Sequence, residues 1–386
     1  MGMWIGRNRK ARVTYGFDEI ALVPGRVTIN PNEVDITFRL PRKNAEPLEL
    51  KIPILASAMD GVVDVGFAIA MNKLGGLAVL NLEGVQTRYK NPQEVLQKIV
   101  EANKSEVTAL LQRIYQEPVQ EDLIAARVRQ IKDAGVVAAV SSIPQRAAEF
   151  GRIAQESGAD VFVVQSTVST VRHISSEYKS LDLEKFCREM RIPVIVGNTV
   201  GYDVTLEIME CGPAAVLVGV GPGAACTSRG VLGLGVPQVT ATVDCAAARD
   251  AYFKKTSRYV PIITDGGMSR GGDVCKALAC GADAVMVGSA FAKALEAPGR
   301  GYHWGMATPH ANLPRGTRIK VGATGSLKQI LFDGSQNLVD AITTCMGNVG
   351  ARNIAEFQQT EIIIAPSIRT EGKLFQTVQS VGMGTS

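Results

Sequence analysis

Eight short runs of aliphatic and β-branched residues are spaced along this chain, and most of them are followed by a helical pattern. Runs of this length and composition are typical of strands buried on both faces of a parallel sheet. We therefore predict strands at Pro53–Ala56, Leu77–Leu80, Val136–Val140, Val161–Val164, Val194–Val196, Ala215–Val218, Pro261–Thr264 and Ala284–Val287.

Amphipathic segments between these runs predict the intervening helices, and strands that alternate with helices indicate parallel pairing with right-handed crossovers. Several segments end at a glycine suited to a left-handed helix C-cap: Gly75, Gly135, Gly158, Gly212 and Gly281. Eight such units favour a (β/α)₈ TIM barrel over an open doubly wound sheet. We expect one catalytic domain over residues 1–386, with a flap near 297–325 and an irregular C-terminal tail. The helices are predicted at Val65–Leu74, Pro92–Ala102, Asp122–Ala134, Arg146–Ser157, Leu183–Glu189, Asp203–Glu210 and Gly271–Ala279.

Charge and cysteine usage exclude several classes of function. The 386 residues include 41 Lys and Arg against 37 Asp and Glu, and the basic segment Arg7–Arg12 is too short for a nucleic-acid surface. The N-terminus has no continuous apolar run of a signal peptide, so no membrane attachment is expected. Seven cysteines without a C-x-x-C pair indicate a reduced, cytoplasmic protein with no structural zinc.

The residues after the last two predicted strands indicate a phosphate site. In a barrel the catalytic face is formed by the loops that follow the strands. Gly266–Gly267 and Gly288–Ser289 let backbone N–H groups approach an anion, and helix N-termini follow them. Asp265 is placed to hold ribose hydroxyls, which favours a nucleotide. The alternative is that Gly266–Gly267 forms only a tight turn.

Cys226 lies in a glycine-rich segment after the sixth predicted strand. Small neighbours leave its thiol accessible, and Arg229 nearby favours the thiolate, so we predict a nucleophile over a buried structural cysteine. The spacing of Gly219, Gly221 and Gly223 does not match the dinucleotide-binding fingerprint. Carbonyls of this loop suit a monovalent cation.

These segments resemble the inosine monophosphate dehydrogenase / guanosine monophosphate reductase family over most of the chain. The Cys226 loop is the most specific motif. The other segments that carry the resemblance are Asp18–Gly25, Ser57–Asp60, Gly197–Asn198, Asp265–Gly267, Gly288–Ser289 and Glu371–Gly372.

The resemblance implies a (β/α)₈ barrel in which Cys226 attacks C2 of a purine nucleoside monophosphate. The dehydrogenase passes hydride to NAD and hydrolyses the covalent thioimidate, which converts IMP to XMP for GMP synthesis. The reductase uses NADPH and removes ammonia from GMP. A homotetramer is also implied.

The resemblance assigns roles residue by residue. Substrate contacts are implied for Ser57, Met59, Asn198, Asp265, Gly266, Gly267, Gly288, Ser289, Tyr302, Gly305 and Met306. Cofactor contacts are implied for Gln165, Ser166 and Gly219. The potassium ligands implied are Gly221, Gly223 and Cys226, completed by Glu371 and Gly372 from a neighbouring subunit.

The sequence departs from the family pattern at several points. The interval after the second strand has no room for regulatory CBS modules. Gln165 replaces the Asp that holds the cofactor ribose, and Ser228 replaces the usual Thr after the nucleophile. The phosphate-binding Tyr is shifted by one position, to Tyr302.

The flap carries neither the dehydrogenase's Arg-Tyr pair nor the reductase's Thr-Glu pair, and no acidic residue lies between Ala297 and Phe332. Candidates for the base that activates water are His310, Arg315 and Arg318. This basic flap favours the dehydrogenase. GMP reductase, a non-catalytic purine nucleotide sensor and a flavin-dependent barrel oxidoreductase stay open as alternatives.

Overall fold

A closed barrel of eight parallel strands forms the centre of the computed structural model, which describes residues 2–305, 318–333 and 337–366. Strand β8 pairs with β1 through Val285 to Ile54 and Val287 to Ala56, which closes the ring. The predicted barrel is confirmed, with all eight strands where the apolar runs indicated. The strands are β1 Ile54–Ala56, β2 Leu77–Asn81, β3 Ala139–Ser142, β4 Val161–Gln165, β5 Val194–Thr199, β6 Ala215–Val218, β7 Ile262–Asp265 and β8 Ala284–Val287.

Alternate residues of each strand face opposite sides of the barrel wall. In β4, Val161 and Val163 belong to the cluster inside the barrel, and Phe162 and Val164 pack in the layer between strands and helices. Neither face meets water, which explains why the strands are continuous apolar runs rather than alternating ones. The hairpin Phe38–Arg42 and Ala45–Leu50 contributes Phe38, Leu40 and Leu50 to the inner cluster.

Helices surround the barrel and include all seven that the sequence predicted. The helices are α1 Val65–Lys73, α2 Val85–Arg88, α3 Pro92–Glu101, α4 Val107–Ile114, α5 Glu121–Asp133, α6 Pro144–Glu156, α7 Leu183–Glu189, α8 Tyr202–Glu210, α9 Ser228–Leu232, α10 Gln238–Thr256, α11 Gly271–Ala279, α12 Leu338–Val349 and α13 Ile354–Phe357. The five predicted capping glycines all have positive φ, between 72° at Gly135 and 112° at Gly281. None of the helices within the described ranges is long and apolar enough to cross a membrane.

Four helices, α2 to α5, occupy the interval between β2 and β3, in which the sequence indicated no room for CBS modules. Helices α3 and α4 bury an apolar cluster that includes Leu96, Ile99, Leu111 and the Trp304 indole. This part of the chain therefore packs against the beginning of the predicted flap.

Short strand pairs connect distant parts of the chain. Ile20–Leu22 pairs antiparallel with Ile362–Ile364, and Met3–Gly6 forms a hairpin with Arg9–Ala11. Tyr302–His303 pairs antiparallel with Ile319–Lys320. The predicted flap therefore begins and ends in a two-stranded ladder, and it is not irregular throughout the described part of 297–325.

Candidate active site

A cavity of about 950 Å³ opens at the carboxyl ends of the barrel strands. Its size and position match those of small-molecule sites in barrel enzymes. The loops after the strands bring most of the predicted site residues together on its wall. These residues are Ser57, Met59, Gln165, Ser166, Asn198, Gly219, Gly221, Gly223, Cys226, Ser228, Asp265, Gly266, Gly267, Gly288, Ser289 and Gly305.

Asp265, the last residue of β7, is the centre of a polar cluster. Its Oδ2 accepts hydrogen bonds from Asn198 Nδ2 at 2.9 Å and from Gln165 Nε2 at 3.0 Å, and its Oδ1 accepts from Ser57 Oγ at 3.5 Å. Burial raises the pKa of Asp265 to about 6, although the three donors oppose that rise. The carboxylate can accept hydrogen bonds from a bound diol at neutral pH.

Gln165, at the end of β4, takes part in the same cluster. Its Nε2 also donates to Asn198 Oδ1 at 3.1 Å, so one amide group connects Asn198 and Asp265. A carboxylate in the place of this amide group would lie about 3 Å from Oδ2 of Asp265 and repel it. The amide avoids that repulsion, and its donor atom faces Asp265 and Asn198.

Cys226 lies on the loop between β6 and α9. Its Sγ is 3.3 Å from the hydroxyl of Ser228, and its N–H donates to the Gly223 carbonyl at 3.0 Å. The thiol is partly exposed to the cavity, and Ser228 is buried. The guanidinium of Arg229 donates to the Val236 carbonyl at 2.7 Å. The loop thus presents a thiol with a hydroxyl beside it.

Gly266 and Gly267 have φ of 82° and 80°, a conformation that L side chains rarely adopt. A Cβ on Gly267 would lie 3.1 Å from Cβ of Pro222, so this loop packs directly against the loop that carries Cys226. Because both residues are glycines, they place no side chain between the backbone next to the Asp265 carboxylate and the cavity. It suits an anion or a polyhydroxy ligand.

A carboxylate of α11 binds the backbone that leads into the helix. Oδ2 of Asp273 accepts hydrogen bonds from the backbone N–H groups of Ser269 at 3.0 Å and Arg270 at 3.2 Å. The helix is thus capped by its own carboxylate. Of the predicted anion contacts, the N–H of Gly266 already donates to the Met286 carbonyl at 3.1 Å, so the prediction rests on Gly267 and Gly288–Ser289.

Two predicted residues lie away from the cavity wall. The Arg318 guanidinium donates to the carbonyls of Ile99, Val100 and Ala102 at the end of α3, and it lies 4.4 Å from the Tyr302 ring centroid. Neither Arg318 nor Tyr302 lines the cavity. In this structure α3 carbonyls hold Arg318, and the Tyr302 ring packs against Arg318.

The comparisons with known proteins agree with this geometry. A family model described as the IMP dehydrogenase / GMP reductase domain matches residues 14–372. The chain belongs to the IMP dehydrogenase / GMP reductase family.

Individual relatives extend over nearly the whole chain. An uncharacterized oxidoreductase of Mycolicibacterium smegmatis is 36% identical over 93% of this chain and 99% of its own length. An inosine-5′-monophosphate dehydrogenase of Cryptosporidium parvum is 29% identical over 88% of this chain and 89% of its own length. A crystal structure of an IMP dehydrogenase/GMP reductase-like protein from Corynebacterium glutamicum superposes with a TM-score of 0.86 at 33% identity, covering 94% of this chain and 97% of that one. The family activity is thus that of an oxidoreductase.

The wall of the cavity in this family member includes two aromatic side chains that the sequence did not indicate. The His173 and Tyr178 rings stack with centroids 5.7 Å apart. Tyr178 Oη is 2.6 Å from His173 Nε2 and accepts from Gln145 Nε2 at 3.1 Å. The cavity therefore extends from the Cys226 loop to a stacked pair of rings.

His303 is a further cavity residue that sequence reasoning did not select. It adjoins Tyr302, which the family resemblance favoured, and it is one of only three histidines in the chain. The scarcity of histidine was the sequence feature that could have identified His303 as a candidate. Gln238 was also missed: its Nε2 donates to the Val218 carbonyl at 2.7 Å and the Asp265 carbonyl at 3.0 Å, which ties the ends of β6 and β7 together.

The remaining predicted residues lie outside the described residues: Met306, His310, Arg315, Glu371 and Gly372. The predicted potassium site therefore has only Gly221, Gly223 and Cys226 within the described part. Carbonyl oxygens suit a hard cation, but that of Gly223 already accepts the Cys226 N–H. These three residues alone do not form a complete ligand set.

Proposed function

We propose that this protein oxidises inosine 5′-monophosphate to xanthosine 5′-monophosphate with NAD, in the synthesis of guanine nucleotides. The observation that carries the proposal is a single cavity that holds both a nucleophile and a nucleotide cradle. The Cys226 thiol, with the Ser228 hydroxyl 3.3 Å away, shares that cavity with the Asp265 cluster and the glycines after β7 and β8.

The cradle orients the substrate through its ribose and phosphate. The Asp265 carboxylate accepts the ribose hydroxyls, and Ser57 and Asn198 hold that carboxylate in place. Backbone N–H groups of Gly267, Gly288 and Ser289 bind the phosphate, since that of Gly266 already donates to the Met286 carbonyl. Gly305 lines the same cavity and would contact the base, together with Met306 as the family resemblance implies.

Cys226 then acts as the covalent catalyst. Its thiolate adds to C2 of the hypoxanthine ring, and the hydrogen on C2 leaves with its electron pair as hydride. NAD supplies the hydride acceptor when bound. The resulting thioimidate is hydrolysed: water adds at C2, the C2–S bond breaks, and XMP and the free thiol are released. The Ser228 hydroxyl is positioned to hydrogen bond with the sulfur throughout.

The part of the cavity wall at the ring pair suits the cofactor. The stacked rings of His173 and Tyr178 offer a flat surface for an aromatic group, and Ser166 and Gly219 line the same cavity as Cys226. Gln165 lies at the position from which the family binds the cofactor ribose, but its Nε2 already donates hydrogen bonds to Asp265 and Asn198. We therefore infer a cofactor held more by Ser166, Gly219 and the ring pair than by Gln165.

The composition of the flap favours the dehydrogenase reaction over that of GMP reductase. No acidic residue lies between Ala297 and Phe332 to protonate a leaving ammonia. The curated relative from Cryptosporidium parvum with a named reaction is an IMP dehydrogenase. Since Arg318 is bound to α3, His310 and Arg315 stay as the candidates for the base that activates water.

Potassium and a tetramer belong to the same proposal. The exposed apolar side chains of Val231, Leu232 and Leu234 follow the Cys226 loop and are suited to contact with a neighbouring subunit. Glu371 and Gly372 of that neighbour would then complete the cation site. Replacing potassium by sodium should lower turnover, and light scattering should give the mass of four chains.

The covalent step gives a specific test. Protein quenched with acid during turnover of IMP and NAD should carry the nucleotide on the peptide that contains Cys226. The Cys226→Ala variant should bind IMP and show no adduct. Wild-type protein that binds IMP but carries no adduct and releases no XMP would leave a nucleotide sensor as the function.

A further inference from the structure

The Cys226 loop, residues 219–237 with the short helix α9 in it, is closed at its base by one buried side chain. The loop leaves the barrel after Val218, the last residue of β6, and ends at Gln238, the first residue of α10. The Gln238 side chain is 3% exposed, and its Nε2 donates to the Val218 carbonyl at 2.7 Å and to the Asp265 carbonyl at 3.0 Å. Because Asp265 also carries the carboxylate of the cradle, one amide group connects both ends of the loop with the cradle.

Gly219, the first residue of the loop, lies directly against this amide. A Cβ on Gly219 would come within 2.7 Å of Nε2 of Gln238 and would overlap the Asp265 carbonyl oxygen, so no side chain fits here. The Gly219 N–H donates to the Thr199 carbonyl at 2.9 Å. The start of the loop is therefore held at the ends of β5 and β7 as well as by its own strand.

The interior of the loop is held by Arg229, which follows the thiol by three residues. Its guanidinium donates to the carbonyl of Val236, two residues before Gln238, at 2.7 Å. A Cβ on Gly221 would lie 2.6 Å from Cγ of Arg229, and one on Gly235 would lie 2.6 Å from its Nε. The Arg229 side chain thus packs against both arms of the loop. A displacement at the base is therefore passed on to the part of the loop that carries the thiol.

The hydrogen bonds of Gln238 contribute more to geometry than to stability. Its Oε1 is buried and has no hydrogen-bond partner among the described residues. An unpaired buried oxygen costs free energy, which offsets what the two bonds of Nε2 contribute. A methionine at this position would lose both bonds and also the unpaired oxygen. Gln238→Met should therefore change the position of the loop more than the stability of the protein.

We propose that Gln238 is a positioning residue that sets the distance between the Cys226 thiol and the nucleotide in the cradle. The proposal rests on the proposed function in that purine C2 must meet this thiol. Reacting atoms must lie about 3–3.5 Å apart, and a misplacement of about 1 Å caused by a distant substitution can lower the rate about 100-fold. Without the Gln238 bonds the nucleotide stays bound through ribose and phosphate, and the thiol no longer meets it in the right place.

The test compares Gln238→Met with a matched control, Gln358→Met, at the opposite end of the barrel. Nε2 of Gln358 also donates to a backbone carbonyl, that of Ala282 at 3.0 Å, but Ala282 precedes β8. Calorimetry would measure the affinity for IMP, and steady-state rates would give kcat and KM. Alkylation by iodoacetamide, followed on the peptide that contains Cys226 with and without saturating IMP, would measure how well the bound nucleotide shields the thiol.

For Gln238→Met we expect a kcat roughly 10- to 100-fold lower, an affinity for IMP within about threefold of wild type and a smaller protection of the thiol by IMP. Gln358→Met should match wild type in all three measurements. Gln238→Glu keeps the shape of the side chain, and its protonated carboxyl group can donate one hydrogen bond. This variant should therefore retain more activity than Gln238→Met and lose that advantage as the pH rises.

The readouts separate this inference from the proposed function. Wild-type kcat and thiol protection in Gln238→Met, or the same losses in Gln358→Met, overturn the role of Gln238. Wild-type protein in which IMP protects Cys226 but is not oxidised overturns the proposed function, and reduced protection in Gln238→Met alone then still supports the positioning role. Wild-type protein that binds IMP without protecting Cys226 overturns both. Thermal unfolding shows whether each variant is folded, and Gln238→Glu decides the question if Gln238→Met does not fold.

Discussion

The indole Nε1 of Trp304 donates a hydrogen bond of 2.8 Å to the hydroxyl of Tyr115, and that hydroxyl donates to Oδ2 of Asp60 at 2.6 Å. Asp60 lies in the loop after β1 and also accepts the Val85 N–H at 2.7 Å. The cavity wall at His303 and Gly305 is thus connected, through one buried chain of hydrogen bonds, to the residue just after α4. Arg318 binds the end of α3 in a similar way, so residues on both sides of 306–317 contact the α3–α4 pair.

Removing the Tyr115 hydroxyl should destabilise the protein. Tyr115→Phe leaves the Trp304 N–H buried without a partner and takes a donor from Asp60, which should cost about 1–3 kcal/mol of unfolding free energy. Urea unfolding would measure it, and Tyr202→Phe, at a half-exposed tyrosine, should change stability by less than about 0.5 kcal/mol. Equal stability of the two variants would show that this chain of hydrogen bonds contributes nothing.

Arg318→Ala distinguishes an anchoring arginine from a catalytic one. Because three backbone carbonyls bind the guanidinium, we expect a lower midpoint of urea unfolding and a kcat within about tenfold of wild type. Arg300→Ala, at an exposed arginine of the same region, is the matched control. If the folded Arg318→Ala protein accumulates the Cys226 adduct, Arg318 takes part in the hydrolysis of that adduct, which would contradict a purely anchoring role.

Cys226→Ala should abolish turnover and keep nucleotide affinity, since the thiol forms the covalent bond and the cradle holds the ribose and phosphate. Ser228→Ala should lower kcat with little change in KM, because the hydroxyl contacts the sulfur. Steady-state rates with IMP and NAD provide both values. Cys345→Ala, at another partly exposed cysteine, should behave like wild type, and loss of activity there would point to a general structural effect.

The pKa of about 6 for Asp265 predicts that nucleoside binding weakens as the pH falls below 6, because only the ionised carboxylate accepts both ribose hydroxyls. Inosine is the ligand to titrate, since its affinity carries no phosphate ionisation. Asp265→Asn should bind inosine weakly and without this pH dependence. Affinity of the wild type that is constant from pH 7 to 5 would contradict the assignment.

The same group makes stability depend on pH in the opposite direction. Its folded pKa is raised from 3.8, so the folded state holds a proton between about pH 4 and 6 that the unfolded state has released. This contribution to stability is fully present below pH 4 and is lost as the pH rises through 6. The difference in unfolding free energy between wild type and Asp265→Asn should follow that curve.

Gln165→Asp tests why an amide stands at the end of β4. The new carboxylate, one methylene shorter than the glutamine, would lie in the same buried cluster as Asp265, so one of the two would keep its proton near neutral pH. We expect the fall in inosine affinity to begin at least one pH unit higher than in wild type. Gln165→Asn is the control without charge, and an unchanged pH profile in Gln165→Asp would show that the two side chains do not interact.

The sequence predicted the barrel well because a doubly buried strand needs an uninterrupted apolar run and several of the helices end at a glycine. Helix α10 was missed because its sequence is rich in Thr, Val and Ala, without a single apolar face. The site residues that directly follow strands were predictable once the strands had been located, because the loops after the strands form the catalytic face of a barrel.

Contacts between distant segments were not predictable in this way. Whether Tyr302 or His303 faces the cavity depends on the register of a two-residue ladder, where a shift of one residue exchanges the faces. That Arg318 reaches carbonyls of α3, more than 200 positions earlier, has no local signal. The role of the Gln165 amide becomes apparent only when Asp265 and Asn198 are found within hydrogen-bond distance of it.

The most direct test of the central claim is the nicotinamide absorbance of purified protein given two substrate pairs in potassium buffer. With IMP and NAD the absorbance should rise as the reduced cofactor forms, and XMP should appear in equal amount. With GMP and NADPH it should stay constant. A steady fall with GMP and NADPH, together with no change with IMP and NAD, would contradict the account and make the protein a GMP reductase.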